Sequence, residues 1–150
     1  MMHRITGIKA GTDETFLKPP HPDTVYMMSS SWEHQPHSLW NTGVGCEFCR
    51  IIANEAPARV VYQDDDVMVI HNRLRWVPVM LLVMPKKHMS QEEMWQDSVM
   101  ARVADVAVQM GKAHCPGGFR LLSNFGHDGM QSQAHGHLHV LGGAHMGRYV

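Results

Sequence analysis

The 150-residue sequence has little of what would place it in several common classes of protein. It has no apolar run near the roughly 18 residues of a membrane-spanning helix, and its first residues do not resemble a signal peptide. A formal net charge of −1 offers no broad basic surface for nucleic acid or for an anionic membrane. Its three cysteines are too few for a disulfide scaffold and fit a reducing compartment. We therefore expect a cytoplasmic protein that binds neither nucleic acid nor membrane.

The chain divides into two regions of different character at about residue 44. Residues 1–44 carry Pro19, Pro20 and the serine run at 29–31, and no helical or strand period persists through them. They are predicted to form a poorly ordered N-terminal extension. The remaining residues, 45–150, contain regular apolar patterns, and the 44% hydrophobic content of the chain is enough for a sizeable core. One compact domain is expected there.

Five stretches of this second region are predicted to be strands. Each combines apolar or β-branched residues with flanking turn signals: Arg59–Tyr62, Val67–His71, Val79–Met84, Phe119–Asn124 and the stretch from His135 to Val140. The acidic residues 64–66 predict a solvated turn between the first two strands rather than a cation site. The apolar run before Pro85 predicts a central strand that is covered on both faces.

Two helices complete the prediction. A short helix is expected over Arg50–Glu55, and a long one begins with a capping box formed by Ser90 and Glu93 and ends at Gly111. The apolar residues of the long helix recur at helical spacing and predict a core or dimer contact: Trp95, Val99, Val103, Val106 and Met110. Strands followed by a helix and further strands favour an α+β domain with a largely antiparallel five-stranded sheet, one long helix and one short helix.

Three histidines at alternate positions are the feature that points most clearly to a function. His135, His137 and His139 are separated by Gly136 and Leu138, and a period of two places all three imidazoles on one face of a strand. Same-face neighbours on a strand are about 6.6 Å apart, so a metal site made from these three alone would be strained. A division of roles, with His137 beside a phosphate held by the glycine-bearing loop at 126–129, is favoured. A half-buried strand in a chain with 12 histidines is the plainer alternative.

The sequence His-Gly-His-Leu-His-Val-Leu at 135–141 resembles the signature of the histidine-triad (HIT) family. Residues 124–132 and the closing Leu-Gly-Gly at 141–143 are similar to the purine nucleoside phosphoramidase, or Hint-like, branch. The similarity runs from about Cys46 to the end and includes Pro85-Lys-Lys-His88. It implies a HIT-like nucleotide-binding hydrolase domain over 45–150, a purine nucleotide conjugate as substrate, and a homodimer formed through the long helix and a neighbouring strand.

Cys46 and Cys49 form a Cys-x-x-Cys motif, which by itself fits a zinc site, a redox pair or two buried thiols. A tetrahedral zinc would need two further ligands, for which His88 and His135 are the best-placed candidates. The resemblance implies this same set, because several bacterial HIT proteins hold a zinc with two cysteines, the histidine after Pro-Lys-x and the first triad histidine. Four protein ligands leave no open position, so such a zinc would be structural.

The resemblance also implies catalytic roles for residues of the triad and of the loop before it. His137 would attack phosphorus and become nucleotidylated, His139 would donate to a phosphate oxygen, and His135 would be fixed beside them. Ser132 would bond to the leaving group, and Gln131 and the loop N–H groups would stabilise phosphoryl oxygens. Asn124 is either an additional donor to the phosphate or simply a turn residue.

At three positions the sequence departs from the family. Asn72 stands where relatives usually carry an aspartate for the ribose hydroxyls, which predicts weaker ribose binding. Met80 replaces a histidine that faces the triad in many relatives. Met130 replaces a glycine of the phosphoramidase branch, so a loop that needs positive φ would be strained or would follow another path. Ile70 is a candidate for the apolar wall of the nucleoside pocket, with a core role as the alternative.

Two hypotheses from different classes follow. The first is a hydrolase or nucleotidyl transferase that cleaves nucleoside phosphoramidates or related nucleotidyl conjugates through a covalent nucleotidyl–His137 intermediate. The second is a zinc-stabilised nucleotide-binding or interaction module with little or no turnover, which the three departures favour. A catalytic zinc hydrolase that uses the triad as metal ligands is disfavoured by the strand geometry.

Overall fold

The computed structural model describes residues 45–148, so the expectation of an N-terminal extension over 1–44 lies outside the described residues. The secondary structure runs in chain order as α1 Glu47–Ile52, β1 Val60–Gln63, β2 Val67–His71, β3 Val79–Pro85, α2 Gln91–Gln96, α3 Val99–His114, β4 Phe119–Leu122 and β5 Leu138–Gly142. The strands form one five-stranded sheet in the order β1-β2-β3-β5-β4, and every neighbouring pair is antiparallel. The α+β class and the antiparallel five-stranded sheet are therefore confirmed.

Strand β3 lies at the centre of the sheet, as its continuous apolar run predicts. Its side chains from Met80 to Pro85 are buried, and they alternate between two hydrophobic cores. Leu81 and Val83 pack beneath α3, whereas Leu82 and Met84 pack with residues of α1 on the other face. Strand β5 follows the same alternation, because Leu138 and Val140 belong to the α3 core. His139 lies between Leu138 and Val140, so its side chain projects from the opposite face of the sheet, which α1 covers.

The predicted long helix is divided into two. The Ser90–Glu93 capping box is present at the start of α2. The helix nevertheless ends at Asp97, which is extended, and the Oδ1 atom of Asp97 accepts a hydrogen bond from Val99 N–H at the start of α3. An aspartate that competes for backbone N–H groups in this way favours a new helix start over continuation.

The end of α3 also differs from the prediction. Gly111 does not terminate the helix, which continues to His114. Gly111 is fully buried within the helix, and a Cβ atom there would collide with the ring of Phe119 on β4. A glycine that was interpreted as a helix stop is thus required for close packing of α3 on the sheet.

The acidic turn between β1 and β2 is confirmed. Asp64 Oδ1 accepts hydrogen bonds from the N–H groups of Asp66 and Val67, and its Oδ2 accepts from Tyr62 and Arg102. The Arg102–Asp64 ion pair, 2.6 Å between Nη2 and Oδ2, joins this hairpin to α3. Among residues 45–148, no helix combines the length and apolar character needed to cross a membrane.

Candidate functional site

A cavity of about 730 Å³ opens on the α1 side of the sheet, a volume typical of small-molecule sites. It brings together six of the residues that the sequence singles out: Ile70, Asn72, Asn124, Ser132, His137 and His139. His135 and Gln131 are buried and are not part of its lining. Three arginines and an exposed tryptophan that the sequence analysis did not assign to a site also line it: Arg59, Arg73, Arg75 and Trp76.

The three histidines are close together, although only His139 lies within β5. His137 Nδ1 is 2.8 Å from the carbonyl oxygen of His135, which accepts hydrogen bonds only, so Nδ1 carries the proton. His137 Nε2 is therefore unprotonated, and its lone pair accepts a hydrogen bond from Nε2–H of His139, 3.2 Å away. The unprotonated nitrogen of His137 faces the cavity and the third histidine.

Burial keeps this cluster neutral. It lowers the pKa of His137, an effect that the hydrogen bond to the His135 carbonyl opposes in part. Burial and, secondarily, the neighbouring His137 lower the pKa of His139 to about 4. The ring of Phe48 from α1 meets His137 edge-on, with 5.2 Å between ring centroids, and covers it from solvent. At neutral pH the Nε2 lone pair of His137 is thus available for attack on an electrophile.

The expectation that the triad forms part of a regular strand is wrong for its first two members, because β5 begins only at Leu138. The backbone of His137 is paired with a side chain instead. Its N–H donates to Oε1 of Gln91 at 3.0 Å, and its carbonyl accepts from Nε2 of Gln91 at 3.1 Å. Gln91 is fully buried at the start of α2. Sequence reasoning missed this residue, because a glutamine beside a capping serine gives no local signal of a distant partner.

The loop from Asn124 to Ser132 is held by its own polar groups. Gln131 Oε1 accepts from Gly126 N–H at 2.8 Å, and Gln131 Nε2 donates to the Gln133 carbonyl at 3.1 Å. Both the Gln131 amide and one of the glycine N–H groups expected to hold an anion are therefore engaged within the loop. Ser132, in contrast, is exposed at the cavity. The second N–H of Gln131 Nε2 could donate to a phosphoryl oxygen while Oε1 stays paired with Gly126 N–H.

The three departures from the family have distinct structural consequences. Asn72 Oδ1 accepts a hydrogen bond from Leu74 N–H at 2.9 Å, which fixes the turn after β2. Met80 Sδ accepts from Trp76 N–H at 3.1 Å, so this methionine supports the same segment. Met130 has a φ of 58°, which means that the loop keeps the left-handed conformation that a glycine would adopt without strain. The alternative of a different loop path is not what the structure adopts.

A second cluster shares His135 with the triad and consists of four potential metal ligands. One ligand atom each from Cys46, Cys49, His88 and His135 lies within 4.8 Å of all the others, and this is the one such group within residues 45–148. Cys49 Sγ is 3.2 Å from His88 Nδ1 and 3.6 Å from His135 Nδ1. For Zn–S and Zn–N bonds of about 2.3 and 2.0 Å, tetrahedral geometry requires donor separations of about 3.3–3.8 Å. The donor set therefore fits zinc.

The protonation of His135 supports the same assignment. Its Nε2 is 2.8 Å from the carbonyl oxygen of Pro85, to which it must donate, and its Nδ1 is left free to bind a metal. Without a metal, burial and the adjacent Cys46 raise the pKa of Cys49 to about 12, so the thiol would hold its proton at neutral pH. Such a thiol needs a bound cation to ionise.

The comparisons with known proteins agree with this geometry. The sequence profile of the HIT domain family matches residues 53–146. Protein HitA of Neisseria gonorrhoeae is 31% identical over 104 residues, which cover 65% of this chain and 94% of that protein. A HIT family hydrolase from Legionella pneumophila superposes with a TM-score of 0.62 at 32% identity, covering 68% of this chain and 96% of that one. A zinc-bound histidine triad family protein from Mycobacterium smegmatis has a TM-score of 0.58 at 27% identity, covering 67% and 76%. The chain belongs to the HIT domain family.

Proposed function

We propose that this protein hydrolyses nucleoside phosphoramidates or related purine nucleotidyl conjugates through a covalent nucleotidyl–His137 intermediate. The observation that carries the proposal is the pair of contacts made by His137, whose Nδ1–H is held by the His135 carbonyl and whose Nε2 lone pair faces the cavity. Its similarity to a HIT family hydrolase supports hydrolysis as the reaction class. The covalent step is the part that experiment must test.

The first half-reaction forms one bond and breaks another at the α-phosphorus. The His137 Nε2 lone pair attacks phosphorus, and the bond between phosphorus and the leaving amine or alcohol breaks. Ser132, exposed at the cavity, is placed to donate a hydrogen bond to the departing atom, which takes up a proton from solvent as its bond to phosphorus breaks. His139 Nε2–H, which contacts His137 in the free protein, transfers its hydrogen bond to a phosphoryl oxygen.

The second half-reaction restores the histidine. Water attacks phosphorus and releases one proton to solvent, the bond from phosphorus to His137 Nε2 breaks, and a nucleoside monophosphate leaves. Nδ1 remains hydrogen-bonded to the His135 carbonyl throughout, so His137 is a neutral nucleophile again at the end of the cycle. The nucleoside would occupy the part of the cavity near the buried Ile70 and Asn72, with Asn124 near the phosphate.

Zinc is proposed as a structural component. Cys46, Cys49, His88 and His135 would hold it, and a zinc bound by four protein groups supplies stability and orientation rather than an activated water. In this arrangement His135 would have two tasks, because its Nδ1 binds the metal while its carbonyl oxygen holds His137. The zinc-bound relative from M. smegmatis supports the presence of the metal in this fold.

The covalent intermediate is testable by intact-protein mass spectrometry. Wild-type protein mixed briefly with an adenosine phosphoramidate and quenched without acid should show a transient nucleotidyl adduct, and His137→Ala should show none. His127→Ala, which changes an exposed histidine of the neighbouring loop, is the matched control and should retain the adduct. If wild-type protein binds the nucleotide but forms neither adduct nor product, the hydrolase proposal fails.

That negative outcome would favour the second candidate, a nucleotide-binding module with little turnover. The observations that favour it are the engagement of Asn72 Oδ1 by its own loop and the left-handed backbone at Met130. The two functions differ in the behaviour of His137→Ala. An enzyme loses turnover, whereas a binding module retains its affinity for adenosine monophosphate within about fivefold, since a single exchanged contact is worth about 1 kcal/mol or less.

We further propose a homodimer that covers the β4 edge of the sheet. The apolar side chains exposed at or beside this edge are Leu121, Leu122, Trp95 and Phe125. A second copy of the chain would cover both these side chains and the open edge, which would otherwise favour aggregation. Sedimentation velocity should show a dimer for wild type and a monomer for Leu121→Lys. A monomeric wild type at micromolar concentration would contradict the proposal.

A further inference from the structure

The side chain of Gln91 occupies the place of a neighbouring strand beside His137. Its carboxamide forms two hydrogen bonds with the backbone of that one residue, accepting from the N–H group and donating to the carbonyl. The ladder between β3 and β5 ends one residue later, where Val83 pairs with Leu138. We propose that Gln91 is a positioning residue, which fixes the His137 backbone so that Nε2 points at the reacting phosphorus. The inference rests on the proposed function.

An amide of this length satisfies both groups at once. The carboxamide offers one acceptor and two donors in a plane, and its second N–H donates to Ser123 Oγ at 2.7 Å. Ser123 Oγ also donates to the His137 carbonyl, at 3.2 Å, so that carbonyl accepts from two side chains. A carboxylate would lack the donors, and an apolar side chain would leave both backbone groups of a buried residue unpaired.

The contact of Gln91 with the His137 backbone fixes the position of Nε2, because the imidazole ring is itself already constrained. Nδ1 is tied to the His135 carbonyl and Nε2 contacts His139, so the ring has little freedom once its backbone is fixed. The segment is also packed tightly against α2, since a Cβ at Gly136 would lie 2.8 Å from the Ser90 carbonyl oxygen. A displacement of about 1 Å in a reacting group can reduce a rate about 10²-fold.

The network continues to the loop that borders the cavity. Trp95 Nε1 lies 3.4 Å from Ser123 Oγ, to which it donates, and the Trp95 ring contacts the Phe125 ring at a centroid distance of 6.1 Å. Helix α2 therefore holds both the nucleophile and the start of the loop at 124–132. Its capping box at Ser90 and Glu93 fixes the start of this six-residue helix, which carries Gln91.

The first test replaces Gln91 with methionine, which keeps the length of the side chain and removes its two hydrogen bonds to the His137 backbone and the one to Ser123 Oγ. We expect kcat for an adenosine phosphoramidate to fall about 10²-fold, with KM changed by less than about threefold, because a misplaced nucleophile slows the chemical step more than it weakens binding. The rate is expressed per folded molecule, as measured by circular dichroism. A kcat within threefold of wild type would overturn the inference.

The second test uses Gln91→Glu and a pH profile, and it does not depend on the methionine variant folding. A neutral carboxylic acid has one donor and one acceptor and imitates the amide, whereas a carboxylate cannot donate to the His137 carbonyl. Burial should raise the pKa of this glutamic acid above its ordinary value of about 4.3. The ratio of kcat in Gln91→Glu to that in wild type should therefore fall about tenfold or more between pH 5 and pH 8.

Gln96→Glu is the matched control, since it makes the same change at an exposed position of the same helix. The ratio of kcat in Gln96→Glu to kcat in wild type should stay constant between pH 5 and pH 8. A constant ratio for Gln91→Glu as well would overturn the inference, because a purely structural glutamine would change the folded fraction and not the rate per folded molecule.

Failure of the proposed function can be told apart from failure of this inference. If wild-type protein shows no turnover, the hydrolase proposal fails, and the positioning role is then judged from the ¹⁵N signals of the His137 ring. Wild type should show a protonated Nδ1 with slow exchange, and Gln91→Met should lose that signal through exchange broadening. An unchanged His137 signal in the variant would overturn the positioning role.

Discussion

Asn72 uses its side-chain oxygen within its own loop, where it accepts the N–H of Leu74. The amide nitrogen remains as the group that can donate to a ribose oxygen, and no charge strengthens the contact. Because a carboxylate has two oxygens, it could cap the turn and bind a ribose hydroxyl at the same time. Under the proposed function, asparagine at position 72 is therefore expected to affect nucleotide binding more than the fold.

The corresponding prediction is that Asn72→Asp improves nucleotide binding. A charge-assisted hydrogen bond is worth about 1 kcal/mol more than a neutral one, so the Kd for adenosine monophosphate should fall about fivefold. Calorimetry with 2′-deoxyadenosine monophosphate provides the control, because a ligand that lacks one hydroxyl should gain less. Equal gains for both ligands would show that the effect is not a ribose contact.

Met130 carries a backbone conformation that L-residues other than asparagine and aspartate seldom adopt. Its φ is 58° and its side chain is 56% exposed, so little packing offsets the strain. A left-handed conformation costs about 1–2 kcal/mol for a residue with a Cβ. A glycine at this position would avoid that cost, but it would lose about 0.5–1 kcal/mol more in conformational entropy on folding. The difference is a small net strain beside the cavity.

Met130→Gly should therefore raise the free energy of unfolding by about 0.5–1 kcal/mol, measured by urea denaturation. Met130→Ala keeps the Cβ and removes the long side chain, so it should bring no such gain. If the alanine variant is stabilised equally, the exposed methionine side chain and not its backbone is the source of the cost.

At the scale of elements, the β1–β2 hairpin is joined to α3 through one carboxylate. Burial by itself would raise the pKa of Asp64, but hydrogen bonds from Arg102, from two backbone N–H groups and from Tyr62 outweigh it and hold that pKa at about 2. In the unfolded chain Asp64 takes up a proton near the ordinary aspartate pKa of 3.8, whereas in the folded protein it does so only at lower pH. The stabilisation is thus complete above about pH 5 and is lost as the pH falls toward 2.

Asp64→Asn should flatten the loss of stability between pH 5 and pH 2. The shift corresponds to about 2 kcal/mol at most, and partial solvent exposure of the pair reduces this to about 1–2 kcal/mol. Chemical denaturation at a series of pH values measures it, and Asp65→Asn in the same turn is the control. A wild-type profile that the substitution leaves unchanged would show that the Asp64–Arg102 pair does not couple the hairpin to α3.

At the scale of the whole molecule, the proposed zinc joins parts of the chain that are far apart in sequence. Its ligands come from the N-terminus of α1, the segment after β3 and the segment before β5. A metal bound only by the folded chain adds its binding free energy to that of folding. Helix α1, the segment after β3 and the segment before β5 would then open together when the metal is removed.

We therefore expect about one zinc per chain, and a loss of at least about 3 kcal/mol in unfolding free energy on chelation. Cys46→Ser and Cys49→Ser should each lose the metal and have a lower Tm. Cys115→Ser should keep the metal and the wild-type Tm, since Cys115 lies outside the cluster. Elemental analysis and thermal melts test this. Full zinc occupancy in a Cys46→Ser, Cys49→Ser double variant would contradict the proposed ligand set.

The sequence by itself determined whatever depends on local pattern. A continuous apolar run identified the central strand β3, and the Ser90–Glu93 spacing located a helix start, whereas the period of two was right only for His139, the one triad histidine that lies within β5. The resemblance at 135–141 identified the family, and the HIT domain match confirms it. These features could be predicted because each depends on neighbouring residues whose geometry the backbone fixes.

The tertiary structure alone decided what depends on distant partners. Gly111 is predicted to be a helix stop, but in the structure it packs against the Phe119 ring, and no local pattern singles out Gln91, whose amide binds the His137 backbone. Likewise, the tautomer of His137 is set by a carbonyl whose direction no local pattern gives. Long-range hydrogen bonds and close packing produce no periodic pattern in the sequence. Each of them involves a single residue, whose partner is brought to it only by the fold.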